Sequence, residues 1–239
     1  MSLVVVIPAY NAARHLPGVL GRVLAAPLPE LQRIVVVNDG STDATAASVA
    51  AAPAGRCPVE LVERPRNGGY GAAMKSGLSR ARELDPDVVA CVHADGQYSP
   101  EALPGLVAAL HARELDLLQG SRVASGTALS GGMPLYKYVA NALLNRLENR
   151  TLGLGMTDYH SGYLVYGRRA LGLPTAGLSD SFDFDLELIA TARAHGLRVA
   201  EAPVPTHYGD EESHLNPITY GLRVLRVMWN YRRGRYDRA

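Results

Sequence analysis

Short apolar runs alternate with stretches of helical periodicity through the first half of the chain. Residues 3–7, 34–37, 59–62, 88–92 and 115–118 are rich in β-branched residues or leucine. Continuous runs of this kind suit strands buried on both faces, as in a parallel sheet. Between the last two runs, Leu103, Leu106, Val107 and Leu110 recur at i, i+3, i+4 and i+7. This spacing predicts a helix over 99–113, with Ser99 as its N-cap and Pro100 in the first helical position. Further helices are expected over 12–25, 43–52 and 71–84. The alternation predicts a doubly wound α/β domain whose ligands gather at the carboxyl ends of the strands.

The second half reads differently. Residues 125–134 are small and Gly-rich, the composition of a loop. A helix is expected over 135–152, a strand over 163–166, a helix over 184–194 and a strand over 197–202. There is no internal repeat and no linker, so we expect one domain over 1–216, followed by a helix from residue 217 that packs on it or on a membrane surface.

Composition narrows the classes. The 239 residues are 47% hydrophobic and 20% charged, enough for a full globular core. No apolar stretch approaches the length of a bilayer span, and the first strand starts directly after Met1-Ser2, leaving no room for a signal peptide. Cys57 and Cys91 lack metal-ligand spacing and read as reduced thiols in a cytoplasmic protein. The net charge of +1 hides an asymmetry: from Pro217 onward six arginines face one aspartate, a net of +5, against −4 for the rest. A basic tail on a faintly acidic body points to an anionic partner at that end.

The candidate chemistry sits just after the predicted strands. The fourth ends in His93-Ala94-Asp95-Gly96-Gln97. A carboxylate and a carboxamide two residues apart offer oxygen donors to a hard cation such as Mg²⁺ or Mn²⁺, and such a cation suits a diphosphate. Taken alone, an Asp at this place is also an ordinary turn residue. The first strand ends in Pro8-Ala9-Tyr10-Asn11 and the second in Asn38-Asp39-Gly40-Ser41-Thr42-Asp43. Asp39 can accept hydrogen bonds from a base or a ribose, while Ser41, Thr42 or Asp43 can cap the next helix. In Asn67-Gly68-Gly69-Tyr70-Gly71, the glycines allow backbone to approach a ligand at a helix start, with Lys75 one turn on. A dinucleotide fingerprint is excluded, because no Gly-rich turn follows the first strand. A P-loop is excluded because Met74, not Gly, precedes Lys75.

Together these segments resemble the family-2 glycosyltransferases, inverting enzymes of the GT-A fold, over nearly the whole chain. Within that family the likeness is to the dolichol- or polyprenyl-phosphate sugar synthases. It is carried by Gly120-Ser121-Arg122, Asp158-Tyr159-His160-Ser161-Gly162-Tyr163, Phe184-Asp185-Leu186-Glu187 and Glu201-Ala202-Pro203-Val204-Pro205. The resemblance implies a GT-A, Rossmann-like fold with a mixed, mostly parallel sheet flanked by helices. It implies a nucleotide-diphospho-sugar donor, with Pro8, Ala9, Tyr10, Asn11 and Asp39 around the nucleoside. Gly69, Gly71, Lys75, His93, Ala94, Asp95, Ser161, Glu187 and His207 are the other donor-site candidates, and Asp95 and Gln97 would hold Mg²⁺ or Mn²⁺ on the diphosphate. The cation would neutralise charge on the departing nucleoside diphosphate, and Arg122 would add a fixed positive charge near the sugar or a phosphate.

Two positions depart from the family pattern: His93 stands where an acidic residue is usual, and Ala12 where a glutamate is common. The first leaves one carboxylate fewer at the cation site, so that metal affinity is lowered or His93 bonds the donor instead. The second leaves GDP or UDP open. Asp185 is the candidate general base, removing a proton from an attacking hydroxyl. For a lipid-phosphate acceptor, already anionic, it would position the donor sugar instead. His207 and His214 could meet phosphate or the cation. In the helix expected over 221–235, Leu222, Leu225, Met228 and Trp229 accompany Arg223, Arg226, Arg232, Arg233 and Arg235. That combination suits an anionic membrane interface or, more simply, a helix packed on the sheet with solvated arginines. The expected partners are a nucleotide sugar and a lipid phosphate at the cytoplasmic face, with no nucleic acid. The alternatives are a transferase with a soluble hydroxyl acceptor and a non-catalytic nucleotide-sugar binding module. The sequence specifies no oligomeric state.

Overall fold

A computed structural model describes residues 1–52, 55–126, 128–130, 132–205 and 217–237. Seven strands, β1 (Leu3–Ala9), β2 (Leu31–Asn38), β3 (Val59–Glu63), β4 (Val88–Cys91), β5 (Leu117–Ser121), β6 (Leu164–Gly167) and β7 (Val199–Pro203), form one sheet in the order β3-β2-β1-β4-β6-β5-β7. β6 pairs antiparallel with both β4 and β5, and every other pairing is parallel. The sheet is therefore mixed and mostly parallel, as the resemblance implied. Among the described residues eight α-helices flank it: α1 (Leu16–Ala25), α2 (Thr45–Ala50), α3 (Tyr70–Glu83), α4 (Leu103–Ala112), α5 (Leu135–Leu152), α6 (Arg168–Leu171), α7 (Phe184–Ala194) and α8 (Pro217–Arg232).

The core explains the unbroken apolar runs. In β1, Val4 and Val6 join one buried layer with residues of α3, α7 and α8, while Leu3, Val5 and Ile7 join the other with α1 and α4. A strand covered on both faces needs apolar residues at every position. After β3 the chain crosses beyond β1 to start β4, so the loops leaving β1 and β4 diverge. A crevice opens between them at the carboxyl ends, where ligands of such sheets bind. Because β6 runs backwards, the loop that enters it arrives at this same edge.

Two expectations are corrected and one element is new. β5 is shifted from the expected 115–118. Leu115 N–H closes the end of α4 by donating to Leu110 O at 2.8 Å, and the strand continues through buried Gln119, Gly120 and Ser121. Ser99 stands at the N-cap with Pro100 in the first turn, as expected, but its side chain caps nothing: the hydroxyl donates to Glu101 at 2.6 Å, in a cluster where Arg22 pairs with that carboxylate, and the helix opens as a 3-10 turn before α4. α6 was not foreseen; four residues are too few to show a period.

Candidate active site

The loops after β1 and β2 are stitched together by side chains. Asn11, at a φ of 49°, donates its N–H to Ser41 Oγ at 2.9 Å, and its own Oδ1 accepts the Thr42 N–H at 2.9 Å. Asp43 accepts from Ala13 N at 3.0 Å and from Thr45 N at 3.0 Å. Ser41 and Thr42 thus hold the neighbouring loop, and the cap position itself is Ala44 without a side-chain bond. Pro8 and Ala9 end β1 with Ala9 buried, leaving Tyr10 exposed at the crevice. Asp39 is only 3% exposed. Its carboxylate accepts from Arg64, from Gly68 N at 3.1 Å and from Gly69 N at 2.9 Å, so it clamps the glycine loop to the end of β2.

The two glycines approach protein. A Cβ on Gly69 would lie 2.5 Å from the Asp180 carbonyl oxygen, and one on Gly71 would lie 2.3 Å from that of Ser179. Lys75 Nζ joins the same segment, donating to Leu178 O at 2.9 Å and pairing with Asp180 at 2.6 Å. These three residues fasten α3 to the loop before α7.

At the tip of β4, Gly96 turns the chain at a φ of 77° between Asp95 and Gln97. Asp95 Oδ1 accepts the Gln97 N–H at 3.0 Å; its other oxygen and the Gln97 carboxamide make no hydrogen bond to described residues. Two half-exposed oxygen donors fit a hard divalent cation that takes its remaining ligands from phosphate and water. No group of three or more His, Cys, Asp or Glu that could hold a metal lies among the described residues. His93 is engaged elsewhere: its Nε2 is 3.2 Å from Gly162 O, and its ring packs against Tyr70 and Tyr98 at 5.6 and 5.3 Å. A carbonyl can only accept, so Nε2 carries the proton; burial lowers the imidazole's pKa, against the pull of nearby Asp95.

Beside His93 lies the loop into β6. Gly162 has a φ of 70°, and a Cβ there would sit 2.8 Å from His93 Nε2 and 3.1 Å from Asp185 Oδ2. His93 and Asp185 therefore flank one glycine. Asp185 is 5% exposed; its Oδ2 accepts the Tyr70 hydroxyl at 2.7 Å, and its buried Oδ1 has no hydrogen-bond partner. Burial pushes its carboxyl up to about 7, although the Tyr70 bond works the other way. Such a group is suited to proton transfer near neutrality. Arg122, 8% exposed, grips Asp158 through Nε at 2.7 Å and Nη2 at 2.9 Å. Burial alone would raise the Asp158 carboxyl, but the adjacent guanidinium outweighs it and holds the carboxyl below its ordinary value.

Other candidates serve the walls. Ser161 Oγ donates to Gly120 O and accepts from Gln119 at 3.1 Å, while Glu187 accepts from Ser179 N and, at 2.8 Å, from Tyr236. Ala94 is buried beneath the β4 tip. His207 and His214 lie outside the described residues. Tyr70 and Asp158, the partners of Asp185 and Arg122, stand inside the sequence motifs but are not among the candidates read from them.

The glycosyl transferase family 2 model matches residues 4–172. The chain belongs to that family. It is 34% identical over 230 residues to the low-salt glycan biosynthesis hexosyltransferase Agl6 of Haloferax volcanii, covering 95% of this chain but 53% of that protein. It is 32% identical to the polyprenol monophosphomannose synthase of Mycolicibacterium smegmatis, over 98% of this chain and 89% of the relative. Among solved structures, glucosyl-3-phosphoglycerate synthase from Mycobacterium tuberculosis, in complex with UDP, superimposes with a TM-score of 0.72 over 96% of this chain and 79% of its own. It is 20% identical, a likeness of fold. The chain is thus a family-2 glycosyltransferase of the GT-A type.

Proposed function

We propose that this glycosyltransferase moves a sugar from a nucleotide diphosphate to a polyprenyl phosphate, working at the surface of a membrane. The observation that carries the acceptor is α8. Its Val224, Val227 and Met228 are buried in the core, yet Leu222, Leu225 and Trp229 are 50–63% exposed on its other side. A helix that needs one apolar stripe to fold and carries a second outside has a further apolar surface to meet. Arg226, Arg232 and Arg233 are exposed beside that stripe, and Arg233 lies over the Trp229 ring at 4.6 Å. Met228, expected on the membrane side, faces the core instead, and Arg223 is tied to Asp183 at 2.8 Å. The start of α5 adds exposed Leu135, Tyr136, Val139 and Leu143. No helix among the described residues is long and apolar enough to cross a membrane, so the contact would be peripheral. The polyprenol synthase relative supports the same acceptor class.

On the donor side, Tyr10 would meet the nucleoside and Asp39 would set the loop that surrounds it. Asp95 and Gln97 would hold the cation, whose bound charge would stabilise the leaving diphosphate. Arg122, fixed by Asp158, would direct its charge at the transferring sugar or a phosphate. An anionic phosphate acceptor needs no base, so the free oxygen of Asp185 would hold a donor hydroxyl; with a hydroxyl acceptor it would take the proton.

The test is transfer from a panel of GDP- and UDP-sugars with Mn²⁺, to polyprenyl phosphate in anionic vesicles or to soluble sugars and phosphoglycerate. The expected result is product in the vesicle arm, with binding to the vesicles weakened by Trp229→Ser and by salt. Transfer confined to soluble acceptors would overturn the reading.

A further inference from the structure

A buried polar cluster lies behind Arg122, outside the residues assigned above. Glu148 on the inner face of α5 is fully buried, and neither of its carboxylate oxygens has a hydrogen-bond partner. Its Oε2 lies 3.3 Å from His160 Nε2, on a side chain 5% exposed. His160 Nδ1 meets the Tyr220 hydroxyl of α8 at 2.9 Å, and the two rings pack edge to face at 5.4 Å. His160 Nε2 likewise makes no hydrogen bond, so the 3.3 Å approach to the carboxylate is a charge contact; an acid there favours the proton on Nε2, which leaves Nδ1 to accept from Tyr220. The backbone N–H of His160 donates to Asp158 Oδ1 at 3.1 Å, the oxygen that also receives Arg122 Nη2.

A buried carboxylate and imidazole are costly, and an apolar trio of the same shape would pack α5, the loop and α8 at lower cost. What an apolar trio cannot do is fix orientation. Tyr220, two residues before Leu222 and so on the opposite side of α8 from the exposed stripe, is joined through His160 and Asp158 to the guanidinium at the site. The same helix is pinned to the front of α7 twice, by Arg223 on Asp183 and by the following Tyr236 on Glu187. Those acids flank Asp185 in sequence.

We infer that His160 is a positioning residue, which locks Asp158 and so Arg122 only while Tyr220 of α8 is seated on it. The helix that carries the exposed apolar stripe and the charge at the transfer site then form one mechanical unit. The geometry stands apart from the identity of donor and acceptor. Its link to catalysis rests on the proposed role of Arg122.

The test reads Arg122 directly. Hydrogen exchange of the arginine Nε–H groups is followed by NMR in the intact protein and in Tyr220→Phe and His160→Gln. Arg82 Nε, bonded to Leu171 O at 2.6 Å in another part of the fold, serves as internal reference. Exchange at Arg122 is expected to quicken about tenfold in both variants while Arg82 is unchanged. Unchanged exchange at Arg122 in Tyr220→Phe overturns the inference, and so does equal acceleration at Arg82, which signals general loosening. If His160→Gln fails to fold, Tyr220→Phe, which deletes a single oxygen, still decides. Loss of all transferase activity on every donor would count against the proposed function and leave this readout intact.

Discussion

Two buried aspartates stand at the same edge of the sheet and are treated in opposite ways. Asp39 has both oxygens filled by Arg64, Gly68 and Gly69, and adjacent Tyr70 gives its hydroxyl to Asp185, whose second oxygen stays empty. A saturated buried carboxylate is a fastening. An unsaturated one is held at a cost, tolerated where a substrate will complete it. The loop 67–70 thus ends one carboxylate's chemistry and poises the other's.

The contrast is broken most directly at Asp185. Asp185→Asn is expected to cut the transfer rate by about 10²-fold, the loss of a hydrogen bond between a charged group and the donor, in an assay with the competent donor, while folding is retained. The same variant has a signature in stability. The folded carboxyl lies near 7, above the roughly 3.9 of an unfolded chain. The native state therefore holds this proton longer, and its contribution is complete below about pH 4 and lost as pH rises through 7. The amount at stake is roughly 4 kcal/mol as an upper bound. Thermal melts should fall across that window in the wild type and fall less in Asp185→Asn. Equal slopes would mean that Asp185 is ionised throughout.

Asp39→Ala should show the reverse balance. It strands two amides and a guanidinium, so a loss of about 2–4 kcal/mol is expected in denaturant titration. A rate loss larger than that of Asp185→Asn would erase the distinction. The smallest structural effect belongs to Asp95→Ala: stability within about 0.5 kcal/mol, with the Mn²⁺ dependence of UDP or GDP binding abolished in calorimetry. Nucleotide binding that ignores both the substitution and a chelator would remove the cation from Asp95.

The apolar runs of β1 to β4 were legible because strands buried on both faces leave no polar interruption. The end of β5 was not, because Gln119 and Ser121 are polar yet buried, satisfied by a loop some 40 residues away. The motif segments come together at one edge of the sheet, but the motifs alone do not apportion their residues between ligand and neighbouring loop. Ser161, Glu187 and Lys75 carry the same donors and acceptors whether they meet a ligand or a neighbouring loop, and only packing decides. The two stripes of α8 were merged into one for a similar reason. A helix seen in sequence has faces but no surroundings, so nothing in it separates buried Met228 from exposed Trp229.

The backward course of β6 has an evolutionary corollary. The excursion 122–163 leaves from one strand end and returns to the same rim beside the β4 tip, carrying α5 on its way. It can be lengthened, shortened or rewritten without re-threading strands β1 to β4. On the proposed assignment, in which the excursion carries the acceptor's surface, a lineage built on this plan is free to exchange what receives the sugar while keeping what delivers it.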